Sequence, residues 1–265
     1  MTTKRKKDEI TMSVKRRDVL FGLMGLSLPL IVASCSGNKS GSSSDSTPTE
    51  RPTSAAAVPE KIRIGYQVVP NAELLAKALG LAQKAFPNSK VEYLSFDSGR
   101  DVNTAIAANG IDFGLVGSVP ASVGIARGLA YHVYFIHDLI GSAEALIVKN
   151  GKAIADIKGK KIATPFGSTA HFSLQAVLKT ENIDPKEVTI LDLQPPDIVA
   201  AWQRGDIDGS YLWQPNLTKL KKAGGNILIT SADLAKKGFA TADLGVVRKE
   251  FAEKYGSCVL SVLNY

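Results

Sequence analysis

Two short stretches of the chain carry residue types suited to capturing an anion. Gly117-Ser118-Val119-Pro120 offers a small residue for close approach, a hydroxyl, and a proline in a first helical turn. Phe166-Gly167-Ser168-Thr169-Ala170-His171 offers two hydroxyls and an imidazole at another helix start. A helix N-terminus presents unpaired N–H groups and the positive end of a dipole, so turns of this kind host anions. The same residues also make ordinary N-caps, and for either turn alone that simpler role stays open. Covalent chemistry is poorly supplied. His132, His137 and His171 lack the spacing of a zinc site, and no H-E-x-x-H is present. His137-Asp138, near a strand end, reads as a hydrogen-bonded surface pair. Ser168 and Ser173 stand too near His171 along one helix to align a nucleophile with its base. Neither G-x-x-x-x-G-K-S/T nor a strand-linked G-x-G-x-x-G occurs. No catalytic residue, metal or cofactor is therefore expected.

Alternating strands and helices must position these turns. Strands are predicted at 62–66, 91–96, 113–116, 131–136 and 145–148, with helices over 73–85, 101–108 and after Pro120. The pattern then restarts, with strands at 161–164, 188–193, 209–212 and 227–229 and helices over 170–180 and 195–203. Pro195 suits the first position of its helix, where the missing N–H costs little. Such alternation implies an α/β protein of two lobes, with mostly parallel sheets and flanking helices, the second lobe inserted in the first. In open α/β sheets ligands sit beyond the carboxyl ends of strands, which is where both turns fall.

Composition fits a globular body: 265 residues, 45% hydrophobic and 22% charged. The net charge of +7 and pI near 9.3 are mostly an N-terminal effect, through Lys4, Arg5, Lys6, Lys7, Lys15, Arg16 and Arg17. No basic groove for nucleic acid is expected. The apolar segment from Val19 to Ala33 is shorter than the roughly 20 residues of a membrane-spanning helix. With its basic flank it reads as a signal peptide over residues 1–34. Val32-Ala33-Ser34-Cys35 resembles a lipoprotein lipobox, which makes Cys35 the lipidated residue. Lys15-Arg16-Arg17 leaves Sec and Tat export both open. Residues 35–60, rich in Ser, Gly, Thr and Pro, suit a flexible tether. The expected product is a periplasmic or cell-surface lipoprotein held at the membrane. The chain has two cysteines, and an acylated Cys35 leaves Cys258 without an intramolecular partner.

Leu193-Gln194-Pro195-Pro196, continuing through Ala200-Ala201-Trp202-Gln203-Arg204-Gly205-Asp206-Ile207-Asp208-Gly209-Ser210-Tyr211-Leu212-Trp213, resembles the taurine/sulfonate-binding proteins of bacterial ABC transporters. Phe96-Asp97-Ser98-Gly99, Gly117-Ser118-Val119-Pro120, Ser142-Ala143-Glu144-Ala145-Leu146, Ser168-Thr169-Ala170-His171 and Val246-Val247-Arg248-Lys249 resemble that family in the same order. The resemblance implies a type II periplasmic binding-protein fold. It assigns 61–142 to lobe 1, 143–244 to an inserted lobe 2 and 245–265 to the return toward lobe 1. It implies a monomeric, non-enzymatic receptor that delivers taurine or a related short sulfonate to an ABC permease and its ATPase. By resemblance Ser118, the Val119 N–H, Ser168, Thr169 and His171 meet the sulfonate. Asp243, Trp213 and Gln67 line the cleft, with Asp243 facing the ammonium group of taurine, while Asp208 is structural. Val68-Val69-Pro70-Asn71 and Val119 replace hydroxyls, and one acid, found in relatives; this leaves room for another short sulfonate. A receptor for nitrate or another small oxyanion is the alternative within this class. An enzyme of the thiamine-pyrimidine synthase type is the alternative outside it, although its cysteine-rich pattern is missing. Relatives continue past Tyr255 with several helices, whereas Gly256–Tyr265 shows no family pattern. A C-terminal truncation that exposes apolar surface on lobe 1 is the corresponding expectation.

Overall fold

The structure is a computed structural model that describes residues 58–262. The expected signal segment, Cys35 and nearly all of the tether lie outside the described residues.

The first lobe contains β1 (Lys61–Gln67), β2 (Lys90–Phe96), β3 (Phe113–Gly117) and β4 (Tyr131–Leu139), and the chain returns to it in β10 (Ala242–Arg248). These form one five-stranded sheet in the order β2-β1-β3-β10-β4. The second sheet, also five-stranded, runs β7-β6-β8-β5-β9. Its strands are β5 (Glu144–Val148), β6 (Lys161–Thr164), β7 (Thr189–Asp192), β8 (Gly209–Trp213) and β9 (Asn226–Thr230). Helices α1 (Ala72–Ala78), α2 (Leu81–Ala85), α3 (Gly99–Ala107) and α4 (Ser118–Ala126) flank the first sheet. Helices α5 (Thr169–Thr180), α6 (Pro195–Arg204), α7 (Asn216–Lys222) and α8 (Ser231–Lys236) flank the second, and α9 (Lys249–Lys254) and α10 (Gly256–Val262) follow β10.

One expectation is corrected and another is refined. The single helix over 73–85 is two helices, because Gly80 takes a left-handed conformation (φ 64°) that ends α1 and begins α2. The sheets are mostly but not wholly parallel: in each, four strands point one way and one runs against them. β1 pairs parallel with β2 and β3, but β10 runs antiparallel to β3 and β4. Likewise β6 pairs parallel with β7 and β8, but β5 runs antiparallel to β8 and β9. Apolar runs such as Phe113–Val116 and Ala145–Val148 mark a strand buried on both faces, and that burial is the same whichever way its neighbours point.

The antiparallel strands matter for position. β10 begins where β3 ends, so Asp243 pairs with Gly117. β5 begins where β8 ends, so Glu144 pairs with Trp213. Each lobe thereby places a carboxylic acid beside the carboxyl ends of its parallel strands. Asp243 lies inside the first sheet, on β10. The two crossings are tied together by the Ile140 N–H, which donates to the Thr241 carbonyl at 2.9 Å.

Separate apolar clusters hold the lobes. Ile62, Phe113, Val247 and Phe251 pack in one cluster of the first, and Val102, Ile106, Val116 and Val246 in another. Leu146, Ile162, Leu174, Val177 and Tyr211 anchor the second, with Ile198, Trp202 and Leu212 on its other face. Cys258 joins the first-lobe core through α10, and burial pushes its thiol up to about 11. β4 is an edge strand, and Val133, Phe135, Ile136 and Leu139 are exposed along it. Among the described residues no helix is long and apolar enough to cross a membrane.

Candidate functional site

A cavity of about 270 Å³ opens between the two sheets. Gln67, Gly117, Pro120, Asp138 and Asp243 line it from the first lobe, and Glu144, Ser168, Thr169, Trp213 and Gln214 from the second. Among the described residues no three His, Cys, Asp or Glu side chains are grouped to hold a metal ion.

The N-termini of α4 and α5 meet at this cavity from opposite lobes. A Cβ placed on Gly117 would stand 2.6 Å from Thr169 Cγ2, so only glycine permits this approach. Ser168 caps α5, its Oγ accepting the His171 N–H at 3.1 Å. The N–H groups of Thr169 and Ala170, in the first turn of α5, have no acceptor among the described residues, and neither has that of Val119 in α4. They are the donors that such a terminus leaves for an anion.

The hydroxyls are differently employed. Ser168 donates to the Pro165 carbonyl at 2.6 Å, and Thr169 donates to Glu144 Oε2 at 2.6 Å. Neither O–H is free for an incoming sulfonate, although the lone pairs of Thr169 remain. Ser118 accepts the Ala242 N–H at 3.2 Å, which ties α4 to the start of β10, and it does not line the cavity. Val119 does not line it either. His171 stacks on Phe166 with ring centroids 4.5 Å apart, and its Nδ1 accepts the Gly167 N–H at 3.3 Å. It stands behind the turn rather than in the cavity, and burial lowers its pKa against the pull of Asp192. Gln67 reaches the cavity while its Nε2 donates to the Leu115 carbonyl at 2.9 Å. Trp213 forms part of the cavity wall and also packs on both apolar clusters of its lobe. Asp208 is remote, accepting the Lys161 N–H at 2.9 Å where β6 begins.

Carboxyl groups gather at the cavity. Burial pushes Asp243 up to about 7, reinforced by the negative charges of Asp138 and Glu144. Behind it Glu73, on α1, is pushed up to about 8 by burial and by Asp243. Glu144 is fully buried and accepts from Thr169, from Ser231 at 2.7 Å and from Ser173 at 3.3 Å. Burial raises its pKa, and these hydroxyls oppose the rise. Ser231 also meets Tyr211 at 3.1 Å, so Glu144 centres a buried polar network within its lobe. Asp138, Glu144 and Gln214 escaped sequence reasoning as cavity residues. Glu144 lay within a motif singled out for resemblance, but its place at the cavity follows from the antiparallel β5. The expected His137–Asp138 hydrogen bond is not formed. His137 is the extra residue of a bulge, since Asp138 pairs with Asp243 and Ile136 with Leu244, and its buried Nε2 has no partner.

Two α/β lobes, joined by paired crossings and closing on a cavity at the carboxyl ends of their sheets, define a type II periplasmic binding-protein fold. Residues 55–263 match the NMT1-like family, and the chain belongs to that family. It is 40% identical over 201 residues to the taurine-binding periplasmic protein of Escherichia coli K12, an alignment covering 75% of this chain and 62% of that protein. It is 30% identical over 213 residues to a putative aliphatic sulfonates-binding protein of the same organism, covering 79% and 66%. The chain therefore spans just under two thirds of the length of these relatives. The solved alkanesulfonate-binding protein SsuA of Xanthomonas axonopodis pv. citri, bound to MOPS, superposes with a TM-score of 0.70 at 28% identity, covering 79% of this chain and 72% of that one.

Proposed function

We propose that the protein captures taurine or a related short sulfonate between its lobes and delivers it to an ABC importer. The observation that carries this reading is the convergence of α4 and α5 at Gly117 and Thr169, with the unpartnered N–H of Thr169 at the cavity wall. A sulfonate is a compact, permanent anion whose three oxygens accept from such donors. The acidic wall formed by Asp243 and Asp138 suits an ammonium group on the same molecule and works against a bare oxyanion such as nitrate. Trp213 and Gln67 shape the space between the two charges. Because the Ser168 and Thr169 protons are already donated to Pro165 and Glu144, this reading gives the sulfonate to the N–H groups at the start of α5 more than to those hydroxyls. The relatives are named as binding proteins, which supports a carrier rather than an enzyme. Export, lipidation at Cys35 and tethering through residues 35–60 would hold the carrier near its permease.

Calorimetric titration of the chain with taurine, ethanesulfonate and nitrate tests this. Binding of both sulfonates is expected, tighter for taurine, with nitrate weaker than either. No heat with either sulfonate overturns the reading, and heat with ethanesulfonate but not taurine removes the amine role of Asp243. Exchanging Cys35 for alanine is expected to release the protein from the membrane fraction, and retention there would refute the lipid anchor.

A further inference from the structure

Two motifs of the sequence, Phe96-Asp97-Ser98-Gly99 and Leu193-Gln194-Pro195-Pro196, have no place in the ligand cavity beyond Gly99. They lie at the N-termini of α3 and α6, which face each other across the lobes. Gln194 caps α6 by position, yet its side chain makes no cap hydrogen bond. Its Nε2 reaches across to Asp101 Oδ2 at 3.2 Å and Ser98 Oγ at 3.3 Å. The carboxylate accepts only, so the amide must present its NH2 group here. Beside this contact Arg100 Nη1 meets Asp192 Oδ2 at 2.8 Å, again from one lobe to the other. The second oxygen of Asp192 accepts the Phe166 N–H at 2.9 Å. Phe166 opens the turn that leads through Gly167 to Ser168 and the free N–H groups of α5. Burial works against the Asp192 charge, but the Phe166 N–H and Arg100 outweigh it and hold its carboxyl below the usual range.

We infer that Arg100 and Gln194, with Asp192 and Asp101 as their acceptors, form a latch that holds the lobes closed and positions the α5 cradle. None of the four lines the ligand cavity. All are fixed at the ends of elements, and the contacts span 92, 96 and 93 residues of sequence. Asp192 serves both functions at once, because one carboxylate binds the opposite lobe and the turn that feeds α5. Opening the lobes frees Arg100 and Gln194 to water and leaves Asp192 holding Phe166 alone. The latch thus acts on the closed state and on release of the ligand, not on encounter.

The inference rests on the sulfonate-binding reading for its kinetic test, and stopped-flow fluorescence of Trp213 provides that test. Arg100→Ala, Gln194→Ala and Asp192→Asn are each expected to raise the dissociation rate of taurine and of ethanesulfonate about two- to five-fold, the range of partly exposed ion pairs. Association rates should hold steady. The Arg100→Ala/Asp192→Asn double variant should be no worse than the more affected single variant, because both remove one contact. Unchanged dissociation, additive losses or slower association would each overturn the latch. Solution scattering separates the two claims. If the wild-type chain binds neither sulfonate, the functional reading fails and the latch is judged without ligand. A radius of gyration that increases in Arg100→Ala then supports it, and one that does not change refutes it.

Discussion

Two pairs of helix N-termini meet across the cleft of this protein, and they solve the same electrostatic problem differently. Each pair brings two positive dipole ends together. Where α3 meets α6, the chain supplies its own negative charge: Asp101 in the first turn of α3 and Asp192 just before α6. Where α4 meets α5, no carboxylate stands in either first turn. The first pair is complete when the lobes close, whereas the second becomes complete when an anion arrives. On the proposed reading, one holds the lobes and the other selects what they hold.

The largest effect should come from making the second pair resemble the first. Ser168→Asp retains an acceptor for the His171 N–H, since Asp is a good N-cap, but adds a negative charge at the cradle. Sulfonate affinity is expected to fall by about a hundredfold, on the scale of charged hydrogen bonds replaced by repulsion, while thermal unfolding shifts only a few degrees. Calorimetry and a melting curve on one preparation check both. Retained affinity would mean that the α5 terminus is not the anion site.

Next in size is steric interference. Gly117→Ala sets a methyl 2.6 Å from Thr169 Cγ2 when the lobes close. Overpacking of this kind costs about 1–3 kcal/mol, so affinity for taurine and ethanesulfonate should fall together by roughly ten- to a hundredfold. Adding Thr169→Ser removes the offending methyl while keeping the hydroxyl that donates to Glu144, and it should recover most of the loss. Absence of rescue would show that the two helices do not approach during binding.

The third effect is selective and depends on pH. Asp243 is pushed up to about 7 from the 3.8 of an ordinary aspartate. An ammonium group favours the ionised form, so binding taurine must displace a proton when the pH is below about 7. Taurine affinity should therefore fall by roughly tenfold from pH 8 to pH 6, whereas ethanesulfonate, without the amine, should not weaken. Asp243→Asn should weaken taurine about tenfold at pH 8 and flatten its pH profile. Parallel profiles for the two ligands would assign Asp243 to the fold instead.

Much of this arrangement was legible in the sequence because it rests on local signals. Gly117 and Ser168 could be recognised as helix-start residues, and buried strands such as 113–116 and 145–148 as apolar runs. Strand direction was not legible, since an apolar run packs equally well with its neighbour in either sense. That ambiguity hid Glu144 as a cavity residue, whereas Asp138 was hidden because the predicted strand stops at 136, short of the carboxyl end of β4. Hydrogen-bond direction was hidden for another reason: Ser168 and Thr169 are hydroxyls in any context, and only their neighbours Pro165 and Glu144 show that both protons are already used. The latch was visible only as motifs without a role, because Arg100 and Asp192 are 92 residues apart and neither has a local partner.

The smallest effect on binding concerns the one carboxyl group that qualifies the comparison. Glu144 lies directly behind Thr169, so a full charge there would partly satisfy the α5 terminus and repel the ligand. Burial raises its pKa and favours the neutral acid, and the Thr169, Ser231 and Ser173 hydroxyls favour the anion. Glu144→Gln distinguishes these pressures. If burial prevails over those hydroxyls, the substitution removes little charge and sulfonate affinity should change by less than about threefold. Stability should fall by about 1–3 kcal/mol because an amide cannot accept from all three hydroxyls, lowering the melting temperature by roughly 3–10 °C. That deficit should also depend on pH. An acid whose folded pKa lies above its unfolded value makes the wild type lose stability as pH rises from the unfolded pKa through the folded one, and the glutamine variant escapes that loss. The two melting curves should therefore converge as pH increases. A gap that widened with pH, accompanied by tighter sulfonate binding in the variant, would show that Glu144 is ionised and that the α4–α5 pair already carries a counter-charge of its own.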